Sequence, residues 1–104
     1  MIKAVFYKSK NNFSGFKISG HSEYAEKGKD IVCASVSALS LHTARILSEE
    51  LGVVETLKQD ENGSLNVKLK STENITDMLI EKLIQTLREI QEEYSGYLLV
   101  EVKE

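Results

Sequence analysis

Apolar and polar positions change rhythm several times along this chain, and each change marks an element. Ile2 to Tyr7 is apolar and β-prone, and Lys8-Ser9-Lys10-Asn11-Asn12 breaks it with turn residues. Phe13 to Ser19 alternates around Phe16 and Ile18, so the two runs predict a hairpin that ends at Gly20. Gly20 to Lys29 is polar and without period, a loop carrying Glu23, Tyr24, Glu26 and Gly28. From Asp30 the pattern turns helical. Asp30 is a good N-cap, and Val32, Val36, Leu39, Thr43, Ile46 and Leu47 recur at helical spacing toward a core. The small residues Ala34, Ser35, Ser37, Ala38 and Ser40 let that helix approach a neighbour closely. The helix should run to Leu51 and stop at Gly52, a C′ glycine.

The second half repeats the order. Val53 to Gln59 and Ser64 to Lys70 flank Asp60-Glu61-Asn62-Gly63, and Asn-Gly between alternating runs is a strong hairpin signal. Leu65, Val67 and Leu69 alternate with Asn66, Lys68 and Lys70, which gives one buried and one wet face. Ser71 to Asn74 offers several caps for a helix from about Ile75 to Tyr94, with Leu79, Leu83, Leu87 and Ile90 on one stripe. Gly96 closes it, and Tyr97 to Val102 is a last strand. The order ββαββαβ predicts an α+β fold, a mostly antiparallel sheet covered by two helices.

Size and charge narrow the picture. The 104 residues fit a single domain, residues 1–104, with 41% apolar residues to build a core. Net charge is −3, and the lysines are scattered among acids with no basic block. That argues against direct nucleic-acid binding as the main activity. A lone cysteine fits a reducing compartment, no leader pattern follows Met1, and no apolar run approaches the ~20 residues of a membrane span. The expectation is a cytoplasmic protein with no membrane partner.

Chemistry concentrates in GHSEYAEKGKDIVCASVS, Gly20 to Ser37. If Asp30 caps the helix, Cys33 is at N3 in its first turn, where unpaired amides and the positive dipole end favour a thiolate. His21 sits just past a strand end. A loop folding back would bring its ring to the thiol, as base for the nucleophile and acid for the leaving amine. Helix-end amides near Cys33 could receive an oxyanion. Asp30 either caps the helix or orients His21. The plain alternative is that Cys33, among Ile31, Val32, Ala34 and Val36, is a packing residue and His21 a solvated one. One Cys and one His make too few ligands for zinc, and Glu23 and Glu26 complete no recognisable set, so neither metal nor cofactor is expected. His42 has no evident partner, and Lys27-Gly28-Lys29 lacks the pattern of a phosphate loop.

The same run resembles the signature of the ribosomal-processing cysteine protease family, Prp. The shared features are Gly20-His21, then Gly28-Lys29-Asp30, then Ile31-Val32-Cys33-Ala34-Ser35-Val36-Ser37. Length and element order are similar over the whole chain. Ser22 and Ser35 stand where alanine or glycine is frequent, and neither removes a group the chemistry needs. The resemblance implies a cysteine endopeptidase with Cys33 as nucleophile and His21 as general base, Gly20 and Asp30 in support, and no cofactor. It implies as substrate the short N-terminal extension of a large-subunit ribosomal protein, number twenty-seven, whose removal a functional ribosome requires. It also implies a homodimer and a mobile His-to-Cys loop that orders around substrate. Two other readings stay open: a non-catalytic ribosome-assembly or interaction module with a structural Cys33, and a redox-sensing thiol whose partner would lie in another chain.

Overall fold

The computed structural model describes residues 1–26 and 28–104, so Lys27, in the Lys-Gly-Lys run, lies outside the described residues. Strand β1 (Ile2–Ser9) and β2 (Asn12–Ser19) form the first hairpin. The five-residue turn expected there shrinks to two residues, Lys10 and Asn11, at φ 54° and 70°. Two successive left-handed residues match the twist of the flanking strands, which lets the strands run further. Helix α1 (Ile31–Arg45) follows, then β3 (Val54–Gln59), β4 (Leu65–Leu69), α2 (Asn74–Glu93) and β5 (Leu98–Lys103). The predicted order holds throughout.

The five strands form one sheet in the order β3-β4-β2-β1-β5. All neighbours are antiparallel except β1 and β5, which run parallel from Ile2↔Leu98 to Tyr7↔Lys103. Ile2, Ala4 and Phe6, Phe16 and Ile18, Leu65, Val67 and Leu69, and Leu98 and Val100 are buried on one face. Both helices pack there, contributing Val32, Val36 and Leu47 from the α1 side and Ile80, Leu83, Ile84 and Leu87 from α2. A register shift after Tyr7 returns Phe13 to the buried face. The architecture is therefore two layers, with helices on one side and an open sheet face on the other.

Local expectations change on both helices. The first helix does not stay α to Leu51. It widens over Ile46–Glu50 into a π-helical segment, with the Leu51 N–H donating to the Ile46 carbonyl at 3.1 Å, and Gly52 (φ 61°) then ends it. Leu39 and Ile46 lie half-buried, while Ser40 and Ala44 take core positions. Ile31–Glu50 is long and apolar enough to cross a membrane by length and composition, against the expectation from the sequence, and it carries the core face of α1. On α2 the buried ridge is Thr76, Ile80, Leu83, Ile84 and Leu87, with Leu79 and Ile90 at its margins. Its cap is Glu73: the Thr76 hydroxyl accepts from the Glu73 N–H and donates to the Glu73 carbonyl, both at 2.8 Å. The second hairpin turns within Asp60 to Gly63, as expected. Gly63, at φ 83°, is the third loop residue, closed by Gly63 N–H to Asp60 C=O at 3.1 Å and Asp60 N–H to Ser64 C=O at 3.0 Å. The Asp60 carboxylate accepts the Asn62 and Ser64 amides and stiffens it.

Candidate active site

The site begins where β2 stops. Gly20 has φ 86°, and a Cβ there would sit 2.6 Å from the Met1 carbonyl oxygen. Only glycine turns the chain that tightly against β1, and the turn delivers His21 and Ser22 toward the N-terminus of α1. Ser22 is 2% exposed, and its N–H donates to the Cys33 Sγ at 3.4 Å. Its Oγ lies 3.3 Å from the same sulfur. Cys33 is half-buried in the first turn of α1, at N3 as expected.

Asp30 holds this arrangement together. Its Oδ1 accepts the Cys33 N–H at 2.9 Å, which is the N-cap bond. Its Oδ2 accepts the Ser22 hydroxyl, the Tyr24 N–H at 3.1 Å and the Ala25 N–H at 3.4 Å. Partial burial pushes the carboxyl's pKa up, but those hydrogen bonds outweigh it and lower the value from 3.8 to about 2. Between the two roles left open for Asp30, the geometry gives the cap, together with a clamp on the loop. Among the described residues no bond joins Asp30 to His21. Because Asp30 occupies the Cys33 amide and the Asp30 carbonyl takes the Ala34 amide at 3.0 Å, neither of those N–H groups is open to an oxyanion.

His21 is exposed at the rim of an open cleft of about 730 Å³, and Cys33 lies in its wall. The cleft is also lined by Glu23, Gly28 and Asp30 from the loop and by Ala34 and Ser37 from α1. The Glu61-Asn62-Gly63 turn of the β3–β4 hairpin forms the facing wall. That turn was invisible as a site element in the sequence, where it read only as a hairpin. Ser37 carried a signal, since it stands one helical turn beyond Cys33 on the same face. Ser22 carried none. Tyr24, from the same loop, does not line the cleft. Its ring packs edge-on against Tyr94 at 5.3 Å and Tyr97 at 5.1 Å, tying the loop to the end of α2 and the start of β5. Gly28 has φ 90°, and the Lys29 N–H donates to the Glu26 carbonyl at 2.9 Å, so the loop is turned tightly just before the helix. His42 is exposed on α1, away from the cleft lining. No group of three or more metal-binding side chains occurs among the described residues.

Comparison with known proteins places this geometry. The curated Ribosomal processing cysteine protease Prp of Bacillus subtilis (strain 168) is 28% identical over 110 residues, covering 96% of each chain. A crystal structure of the ribosomal processing protease Prp from S. aureus with a covalently linked product peptide matches with a TM-score of 0.86 at 23% identity, over 99% of this chain and 100% of that one. SMU.848 from Streptococcus mutans matches with a TM-score of 0.83 at 24% identity, over 100% of this chain and 96% of that one. These two structures share the fold, with its mixed sheet and two helices. The family model for cysteine protease Prp matches residues 1–99. With its thiol at the head of α1 and a histidine on the rim of the same cleft, the chain belongs to the Prp family of cysteine proteases.

Proposed function

We propose that this peptidase removes the short N-terminal extension of large-subunit ribosomal protein twenty-seven, with Cys33 as nucleophile and His21 as general base. The observation that carries the reading is the single cleft that His21 and Cys33 line, at a helix N-terminus. His21 takes the thiol proton, and the sulfur attacks the scissile carbonyl carbon. The tetrahedral intermediate collapses as the C–N bond breaks, and the amine leaves with the proton from His21. Water, deprotonated by His21, then hydrolyses the thioester and frees the thiolate. Glu23 and Glu61 on the cleft walls suit a basic peptide, as ribosomal proteins supply. Neither metal nor cofactor enters these steps.

The reading places the enzyme in the cytoplasm, where ribosomal proteins are made, and expects a homodimer, which light scattering on the purified protein would weigh directly. The decisive experiment is the mass of the ribosomal protein's N-terminus after incubation with wild type, Cys33→Ala and His21→Ala. Cys33→Ala should cut slower by about 10⁴-fold or more, as loss of a nucleophile does elsewhere, with an unchanged far-UV spectrum. Cleavage by Cys33→Ala at the wild-type rate sinks the dyad.

A further inference from the structure

Lysines that are scattered in the sequence converge in the fold. On the sheet face turned away from the helices, the strand registers place Lys3, Lys17, Lys58, Lys68 and Lys103, and the one carboxylate they place among them is Glu101. All five lysines are exposed. Among the described residues the ion pair is Arg45–Glu49, at the end of α1, so none of the five is neutralised by a salt bridge. The chain as a whole carries −3, so its carboxylates gather elsewhere, on the outer side of α2 and around the active cleft.

The positive face also carries a ring. Tyr7 is 39% exposed, on β1, between Gly15 of β2 and Lys103 of β5. Gly15 is glycine because a Cβ there would lie 2.3 Å from the Val67 carbonyl oxygen. The position across from Tyr7 on β2 therefore carries no side chain. Lys68 stands directly across Gly15 on β4. An exposed aromatic on an inner strand, with cations on the strands to either side, offers a base a surface to stack on and its phosphates partners within a few strand spacings of ~4.8 Å.

We propose that this open sheet face binds single-stranded RNA, with phosphates on the lysines and a base on Tyr7. A second copy of this chain is the other natural occupant of an open sheet, but a two-fold contact would set the five lysines against the same five. The choice of RNA over other polyanions rests on the ribosomal reading of the active site. The face is on the far side of the sheet from α1 and Cys33, so RNA and peptide would occupy the enzyme together.

The test is fluorescence anisotropy with a labelled oligouridine of about ten nucleotides, a length within the span one small module covers. Wild type, Lys17→Glu/Lys68→Glu and Tyr7→Ala are each titrated and assayed for peptide cleavage. Each lysine–phosphate contact on a single strand contributes about −0.7 to the salt slope, so wild-type affinity should fall about ten- to hundredfold from 50 to 200 mM salt. The double charge reversal should weaken binding at least about tenfold and flatten that slope, and Tyr7→Ala should cost about five- to hundredfold. Cleavage should persist in both variants. Absence of binding at 50 mM salt, or equal binding by wild type and the charge reversal, overturns the proposal. So does a wild-type dimer that the charge reversal converts to monomer without any RNA signal, which assigns the face to a second copy. A wild type that cleaves the peptide but binds no RNA refutes this inference alone, whereas a wild type that binds RNA but does not cleave refutes the substrate reading instead.

Discussion

Asp30→Ala should loosen the loop between the two reactive side chains at both of its fastenings. One fastening is the N-cap bond to the Cys33 amide at 2.9 Å. Replacing such a cap by alanine costs about 1 kcal/mol. The other is the set of donors on Oδ2, the Ser22 hydroxyl and the Tyr24 and Ala25 amides. The two amides belong to exposed residues and regain water, so they contribute little. Ser22 is 2% exposed, and its hydroxyl keeps the Tyr24 N–H as a donor at 3.4 Å but only the Cys33 sulfur, a weak acceptor at 3.3 Å, to donate to. Its lost bond to a carboxylate is worth about 1.5 kcal/mol. Together the loss is about 2–3 kcal/mol, and at 4–8 °C per kcal/mol for a small domain the melting temperature should fall by about 10–20 °C. Asp30→Asn separates the two fastenings. Its amide oxygen can still cap Cys33, but its NH2 then faces the Ser22, Tyr24 and Ala25 donors, so about half the loss should remain. Calorimetry or circular dichroism reads the melting point, and peptide hydrolysis is followed on the same samples below it. Asp30→Ala melting within about 2 °C of wild type, with kcat alone reduced, would refute the clamp and return Asp30 to the role of His21 orienter.

Other outcomes follow from the same contacts. Asp30 titrates at about 2 when folded against 3.8 for the free group, so its stabilisation is complete above the unfolded value and fades as pH falls through the folded one. The gap in melting temperature between wild type and Asp30→Asn should therefore be constant above about pH 5 and close toward pH 2. Ser40 is 1% exposed and its hydroxyl has no partner among the described residues, so Ser40→Ala should be neutral or stabilise by up to about 1 kcal/mol, read by urea denaturation. A loss above that size would mean the hydroxyl is hydrogen-bonded after all. Tyr24→Ala removes two edge-on aromatic contacts of about 1 kcal/mol each. Limited proteolysis should then nick the 22–29 loop faster than in wild type, and an unchanged cutting rate would show that the tyrosine stack does not hold the loop.

Periodicity located every element, because burial on one side imposes period two on strands and 3.6 on helices. It failed where hydrogen bonds rather than burial set the geometry: the two-residue turn at Lys10-Asn11 and the π-helical end of α1. The cleft was half legible. Asp30, Cys33 and His21 share one stretch of sequence, and the cap placed Cys33 correctly. Ser22 stayed hidden because a serine in a polar loop has no periodic mark of burial, and its environment depends on how Gly20 turns against Met1. Glu61 to Gly63 stayed hidden because their approach to α1 is a matter of sheet order, which pairs β4 with β2. The basic face was missed for the same reason: its lysines come from all five strands, and no window of sequence contains them.

The parallel pairing of β1 with β5 joins the second residue of the chain to the ninety-eighth, so the sheet closes only over almost the whole length of polypeptide. Contacts of such separation form slowly, and a chain leaving the ribosome makes its first strand long before its last. His21 and Cys33 are both in place on the chain once β2 and the head of α1 have been made. Tyr94 and Tyr97, which grip Tyr24, are made long after it. The loop between His21 and Cys33 is thus fastened by residues made well after it, so a nascent chain holds both side chains before it holds them still.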